Sequence, residues 1–175
     1  MHLLDTEAEP VFDPITAKLA RVLEMPIVLI SIVDRDRRFF KSQTGLPEDL
    51  AKARQTTRNV SVCGHVVAKK EMMVIEDLAR DRRLANNPRL KEHGIRFYAP
   101  IPLLASTGQP IGSLCLMDIK PHQFTERDKR LLKKYGCEVM DEIAKRTPQA
   151  SARTVPVAVK EAPNEPPPNA SPGLT

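Results

Sequence analysis

The stretch that most narrows what this chain can fold into is Arg96–Thr125, RFYAPIPLLASTGQPIGSLCLMDIKPHQFT. Arg96–Leu104 is mostly apolar or aromatic, Ser106-Thr107-Gly108-Gln109-Pro110 supplies turn residues, and Ile111–Ile119 is apolar again. That order predicts two strands joined by a turn. Gly108 takes positive φ at no steric cost, and Pro110 opens the second strand, where a missing donor is tolerated. Both runs are nearly continuous rather than alternating, which predicts a hairpin in the middle of a sheet covered on both faces.

The rest of the chain supplies elements to cover it. Asp13-Pro14 predicts a helix start, with Asp13 as the cap. Ile15, Leu19, Val22 and Leu23 then form one apolar stripe, with Thr16, Lys18, Arg21 and Glu24 on the other side. Ile27–Val33, IVLISIV, lies between Pro26 and the charged turn Asp34-Arg35-Asp36-Arg37 and predicts a central strand. Arg38–Gln43 pairs back on it, with Phe39 and Phe40 on opposite faces and Gly45 ending the run. Leu46–Asn59 has no sustained period and is expected to be a surface loop with at most a turn of helix. Ser61–Lys70 is expected to be a helix, Met72–Glu76 a short strand, and Asp77–Asn87 a polar connector. Pro88 begins a short helix that stops at His93-Gly94. Thr125-Glu126-Arg127-Asp128 reads as a capping box, after which Leu131, Leu132, Tyr135, Val139, Met140 and Ile143 recur along a long last helix. The resulting order is an α+β domain built on mostly antiparallel strands.

Composition sets the limits on function. At 175 residues and 41% hydrophobic, the chain is one domain's length with enough apolar material for a core. Aromatic residues are 4% and Trp is absent, so there is little on which nucleic-acid bases can stack, and no nucleic-acid partner is expected. The net charge of +5 is spread along the chain, which fits solvated faces as well as an anionic partner. Cys63, Cys115 and Cys137 are far apart and form no metal-type spacing; a reducing compartment and no metal are expected. The start, MHLLDTEAEP, does not read as a signal peptide, and no apolar run approaches the roughly 20 residues needed to span a membrane. A cytoplasmic protein without membrane insertion is therefore expected. Residues 147–175 hold seven of the sixteen prolines and few charges, and are expected to be a disordered tail. The expected organisation is a segment 1–11, a domain 12–146 and this tail.

Four stretches together resemble one family: FDPITAKLARVLEMPIVLISIVDRDRRFFKSQTGL, SVCGHVVAKKEMMVIEDLARDRRLANNP, IRFYAPIPL and GQPIGSLCLMDIKPHQFT. They resemble the GAF domains, in particular the bacterial subgroup found beside histidine kinases and diguanylate cyclases, and extend from Phe12 to about Ile143. The resemblance implies a central antiparallel sheet with the first and last helices packed on one face. On the other face, the loops and helices from Gly45 to Gly94 are implied to close over a pocket. It implies a bacterial sensory or regulatory module that binds a small molecule and transmits to a signalling partner. A homodimer through the helices Pro14–Leu23 and Glu126–Ile143 is expected separately, because the last helix carries a broad apolar face. The alternatives to a sensory module are a free methionine-(R)-sulfoxide reductase-like enzyme and an architectural dimerisation module with a filled pocket.

Departures from the family's patterns narrow the ligand. Cyclic-nucleotide-binding relatives carry an Asn-Lys pair and an acidic pair after a Phe; here Asn86-Asn87 precedes Pro88, and Tyr98-Ala99-Pro100-Ile101 follows Phe97. Bilin-binding relatives attach the chromophore to a Cys followed directly by His, whereas Gly64 separates Cys63 from His65. Free methionine-(R)-sulfoxide reductases carry a Cys-Gly like Cys63-Gly64 and a second Cys-Asp, but Asn86–Ile95 has no cysteine. No cofactor is named by the sequence. The candidate ligand-binding residues are Cys63, His65, Asp81, Arg96 and Tyr98, with no catalytic set. Four of them have a structural alternative: packing for Cys63 and His65, loop fixing for Asp81, and a salt bridge to Asp77 or Asp118 for Arg96. Cys115 is expected to be a small buried hydrophobe.

Overall fold

The sheet is ordered β3-β2-β1-β5-β4 and antiparallel throughout. Its strands are β1 (Ile27–Val33), β2 (Arg37–Thr44), β3 (Gln55–Thr57), β4 (Phe97–Leu104) and β5 (Pro110–Asp118). The computed structural model describes residues 3–6, 9–57 and 69–146. The expected helix over Ser61–Lys70, with Cys63 and His65, is outside the described residues except at its end, as is the expected tail at residues 147–175. β1 and the two hairpin strands form where the apolar runs predict strands, but the hairpin is not in the middle of the sheet as expected: β4 is an edge strand whose apolar run reflects cover on both faces rather than a strand on each side. β5 lies between β1 and β4, while β4 is the outermost strand.

One face of the sheet carries α1 (Asp13–Val22) and α4 (Glu126–Lys145). Ile15 and Leu19 of α1 and Leu132, Tyr135, Val139 and Ile143 of α4 are buried with Val28, Ile30, Leu114 and Leu116 of the central strands. The capping box at Thr125 and Asp128 is formed. The other face carries α2 (Glu48–Ala53), α3 (Pro88–Glu92) and the 3-10 turn Leu78–Arg80. Their apolar residues pack on Ile27, Leu29, Cys115 and Met117. Alternation along β1 and β5 thus serves two separate clusters, which explains why both runs look continuous in sequence.

Several local expectations are corrected. Phe12, not Asp13, is the cap residue of α1; the Asp13 carboxylate instead accepts from Ser42 Oγ at 2.7 Å. Thr16 is buried rather than outward, bonded to Ser42 and Thr44 hydroxyls. The segment Leu46–Asn59 is more ordered than its lack of period suggests, since it holds α2 and the edge strand β3. The expected strand Met72–Glu76 reduces to one bridge, Ile75 with Tyr98. The chemistry of β4 explains this. Tyr98 N–H points to the outer edge and donates to Ile75, so alternation points Pro100 and Pro102 the same way, and neither has an N–H to offer. Met73 N–H reaches Pro100 O at 3.1 Å, but nothing is returned and the ladder stops.

Two positions show why the backbone takes its particular course. The pairing of β1 with β2 jumps from Ile30–Ser42 to Ser31–Phe40, leaving Lys41 as a bulge residue. The bulge turns Lys41 and Ser42 both toward α1 while Arg38 and Phe40 face the opposite side. At the end of β2, Gly45 has φ +70°, and a Cβ there would stand 1.9 Å from Pro26 O. Only glycine fits where the chain folds back so close to its own backbone.

Candidate functional site

The face opposite α1 and α4 holds a pocket. In the β1–β5 ladder, Ile27 and Leu29 stand opposite Met117 and Cys115, and these four side chains form the pocket floor, while the rung Ser31–Ser113 continues the same face of the sheet beyond it. Leu46, Pro47 and Leu50, at and around α2, and Leu90 of α3 with Ile95 provide the walls. Together they enclose a cavity of about 90 Å³. α3 is positioned by its own cap: Asn87 Oδ1 accepts from Arg89 N at 3.1 Å and Leu90 N at 3.3 Å, and Gly94 with φ +65° ends the turn.

Beyond the floor the same face of the sheet turns polar. Arg38 is buried, and its Nη2 donates to Ser31 Oγ and, at 2.6 Å, to Ser113 Oγ. The serine hydroxyls lie 3.1 Å apart, Ser113 Oγ is 3.3 Å from Cys115 Sγ, and Cys115 Sγ is 3.7 Å from Tyr98 OH. Gly112, one residue before this strip, lets β5 lie against β1, since a Cβ there would meet Ser31 O at 2.1 Å. At the rim stand Arg89 and His93, the latter with Nε2 3.8 Å from an Asp49 carboxylate oxygen. Among the described residues, the basic lining groups are Arg38, Arg89 and His93, and no carboxylate lines the cavity.

The expected ligand residues are not all brought together. Tyr98 stands in the pocket wall, buried beside Cys115. Arg96 lies ahead of β4 and forms a two-bond pair with Asp77, Nε to Oδ1 at 2.8 Å and Nη2 to Oδ2 at 2.9 Å. The hydrogen bond from Arg96 holds the Asp77 carboxyl below its ordinary value. Asp81 lines a separate, open depression with Glu76 and Asp77 and accepts from Arg83 N and Nη2, the latter at 2.7 Å, which likewise lowers its pKa. Cys63 and His65 lie outside the described residues.

Arg38, His93 and Leu29 are pocket residues that the sequence analysis passed over. A signal for Arg38 exists: in RRFFKS it is in phase with Phe40, so a charge sits where a strand faces the interior. His93 carries no such mark, since it reaches the rim through the C-terminal turn of a five-residue helix.

Three comparisons with known proteins bear on this arrangement. A cyclic di-GMP phosphodiesterase of Pseudomonas aeruginosa is 36% identical over 145 residues, which cover 82% of this chain and 24% of that protein. The chain thus spans about a quarter of that relative's length. Among solved structures, the GAF domain region of a putative membrane protein from Geobacter sulfurreducens matches with a TM-score of 0.65 at 15% identity, over 77% of this chain and 91% of that one. A free methionine-R-sulfoxide reductase from Neisseria meningitidis matches with a TM-score of 0.62 at 20% identity, over 79% and 80% of the two chains. At such identities the structural matches speak for the fold alone. The profile of the GAF domain family matches residues 7–143. With the antiparallel sheet, the α1–α4 layer and the opposite pocket in place, the chain belongs to the GAF domain family.

Proposed function

We propose that this chain is a sensory or regulatory module whose pocket binds a small molecule and whose occupancy is transmitted to a signalling partner of the histidine kinase or cyclic di-GMP class in a bacterial cytoplasm. The observation that carries the proposal is the pocket itself, a mostly apolar cavity with Arg38, Tyr98, Asn87 and His93 among its lining residues. The similarity to a phosphodiesterase of which this chain matches only a quarter supports a regulatory rather than catalytic share of such a protein. Among the described residues no helix is long and apolar enough to cross a membrane. A thermal-shift screen tests the proposal: a ligand at about 100 times its dissociation constant stabilises by about 2.7 kcal/mol. A library that leaves the transition unmoved would leave the architectural alternative standing.

The proposal includes a second copy of the chain across α1 and α4. The apolar stripe of α4 is buried against the sheet, so a partner meets the other side, where Val11 and Val22 near α1 are exposed large apolar residues. Light scattering at micromolar concentration that shows only monomer refutes this component. The enzymatic alternative, sulfoxide reduction, requires a thiol to attack and a second to resolve it. Cys115 is the one pocket cysteine among the described residues, and Asn86–Ile95 carries none. Methionine sulfoxide consumption that disappears in Cys63→Ser or Cys115→Ser would establish the enzyme.

A further inference from the structure

We infer that the pocket takes a small uncharged hydrophobic molecule, about the size of one small ring, and turns away charged molecules of the same shape. The inference rests on the pocket being a ligand site and goes on to name the chemistry of the ligand.

The pocket is a gap in a hydrophobic cluster rather than a cleft between polar surfaces. Ile27, Leu29, Cys115 and Met117 of the floor and Leu50 and Leu90 of the walls all belong to the cluster that packs on this face of the sheet. The four floor residues are buried. Protein interiors fill to the density of organic crystals, with few voids larger than a water molecule. An apolar void leaves the side chains around it without contacts on one side, and it holds water poorly because such a lining offers water few hydrogen bonds. The occupant favoured by such a gap returns those contacts and brings no polar group that needs a partner.

The polar lining groups do not invite an ion. Arg38 Nη2 donates to Ser31 Oγ and Ser113 Oγ, both beyond the floor. An anion would have to draw Arg38 away from these serines, which are buried and would lose that donor. Asn87 Oδ1 is occupied by the first amides of α3, and Tyr98 OH and Cys115 Sγ are hydrogen-bond partners at 3.7 Å. Arg89 is exposed at the rim, and the Asp49 carboxylate approaches His93 Nε2 there at 3.8 Å. A cation meets no carboxylate in the lining among the described residues and faces Arg38 and Arg89 instead. Either ion would also exchange its hydration for aliphatic side chains, which is costly. A neutral apolar molecule requires none of these changes.

Size limits the body. One water needs about 10–15 Å³ of such space, so about 90 Å³ accommodates roughly six to nine water-sized groups. That suits one small ring or a short branched chain and is too little for a nucleotide or a tetrapyrrole.

The test uses four probes of nearly identical shape: toluene, benzamide, benzoate and benzamidine, which are apolar, neutral but polar, negative and positive. Each is titrated into the full chain while the methyl signals of Ile27, Leu29, Leu50 and Leu90 are followed by NMR. Toluene is expected to bind about ten-fold or more tighter than each of the other three. Leu90→Phe fills the gap from the α3 wall and should weaken toluene about ten-fold or more. Leu50→Phe does the same from the α2 wall and is the companion variant where the first disturbs α3. The ranking of the probes in the unaltered protein needs no variant at all. The inference is overturned, with the pocket left as a ligand site, if a polar or charged probe binds as tightly as toluene or if both variants leave toluene affinity unchanged. Toluene that moves Val139 and Ile143 of α4 instead of the pocket methyls overturns it too. If the four probes fail while other fragments move the pocket methyls, the inference fails alone. If no fragment of any kind moves them, the ligand site fails as well.

Discussion

Arg96 and Asp77 show how a residue that looks like a ligand contact is held by its own fold. The Asp77 carboxylate takes two hydrogen bonds from Arg96 and one from Ala79 N, at 3.1 Å, which together keep it ionised below its ordinary 3.8. A depressed carboxyl contributes stability that is present above the unfolded value and is lost as pH falls through the folded one. The Asp77 carboxyl carbon should therefore titrate below 3.8 by NMR, and Arg96→Gln should move its midpoint upward. An unchanged midpoint would show that Arg96 does not hold it. Gly45 gives a second prediction at this scale. Its positive φ and the Pro26 carbonyl 1.9 Å from a would-be Cβ make Gly45→Ala destabilising by about 2–3 kcal/mol in urea denaturation. The sequence reveals that a glycine ends β2 but not how close Pro26 comes, because that distance is set by the sheet. For the same reason the salt bridge of Arg96 was legible as one of two options, while the pocket place of Arg38, marked in sequence only by its phase with Phe40, needed the face of the sheet that carries the cavity to be known.

At the scale of elements, strongly patterned segments were legible to the residue or nearly so. β1 is bounded by a proline and a charged turn, the hairpin by a Gly-containing loop, and α4 by a capping box; each carries its own punctuation. The edge strand β3 and the Ile75 bridge were not legible, because they exist through pairing with β2 and β4 rather than through any period of their own. α3 is short and depends on its cap. Asn87→Ala removes the acceptor for Arg89 N and Leu90 N and should cost about 1 kcal/mol. In hydrogen exchange, the amides at the end of α3 should then open about five-fold more readily, with those of α4 unaffected. Equal change in both helices would mean that the cap acts on the whole fold rather than on the pocket wall.

Across the whole molecule, the start, middle and end of the domain meet at one carboxylate. Glu9 pairs with Lys41 of the β2 bulge and with Arg146 after α4, while Lys41 also donates to Thr6 Oγ1 at 2.7 Å. Both cations also lie against the Phe12 ring, Lys41 Nζ at 5.6 Å and Arg146 Cζ at 4.8 Å from its centroid. Leu3 is buried in the same cluster, so the packed unit reaches upstream of Phe12. Glu9→Ala leaves Lys41 buried without its carboxylate and should cost about 2 kcal/mol in chemical denaturation. No loss of stability would contradict the role given to this junction. The two-faced sheet behind all of this was legible from apolar runs and from family resemblance, whereas the ligand was not, since a pocket is a property of side chains from five or more separated segments. The most direct measurement of the central claim is methyl NMR of the full chain against a small-fragment library. A pocket that binds ligands predicts shifts at Ile27, Leu29, Leu50, Leu90 and Ile95, with Val139 and Ile143 of α4 unmoved at first contact. Fragments that move none of the first group, or only the α1–α4 face, would contradict it.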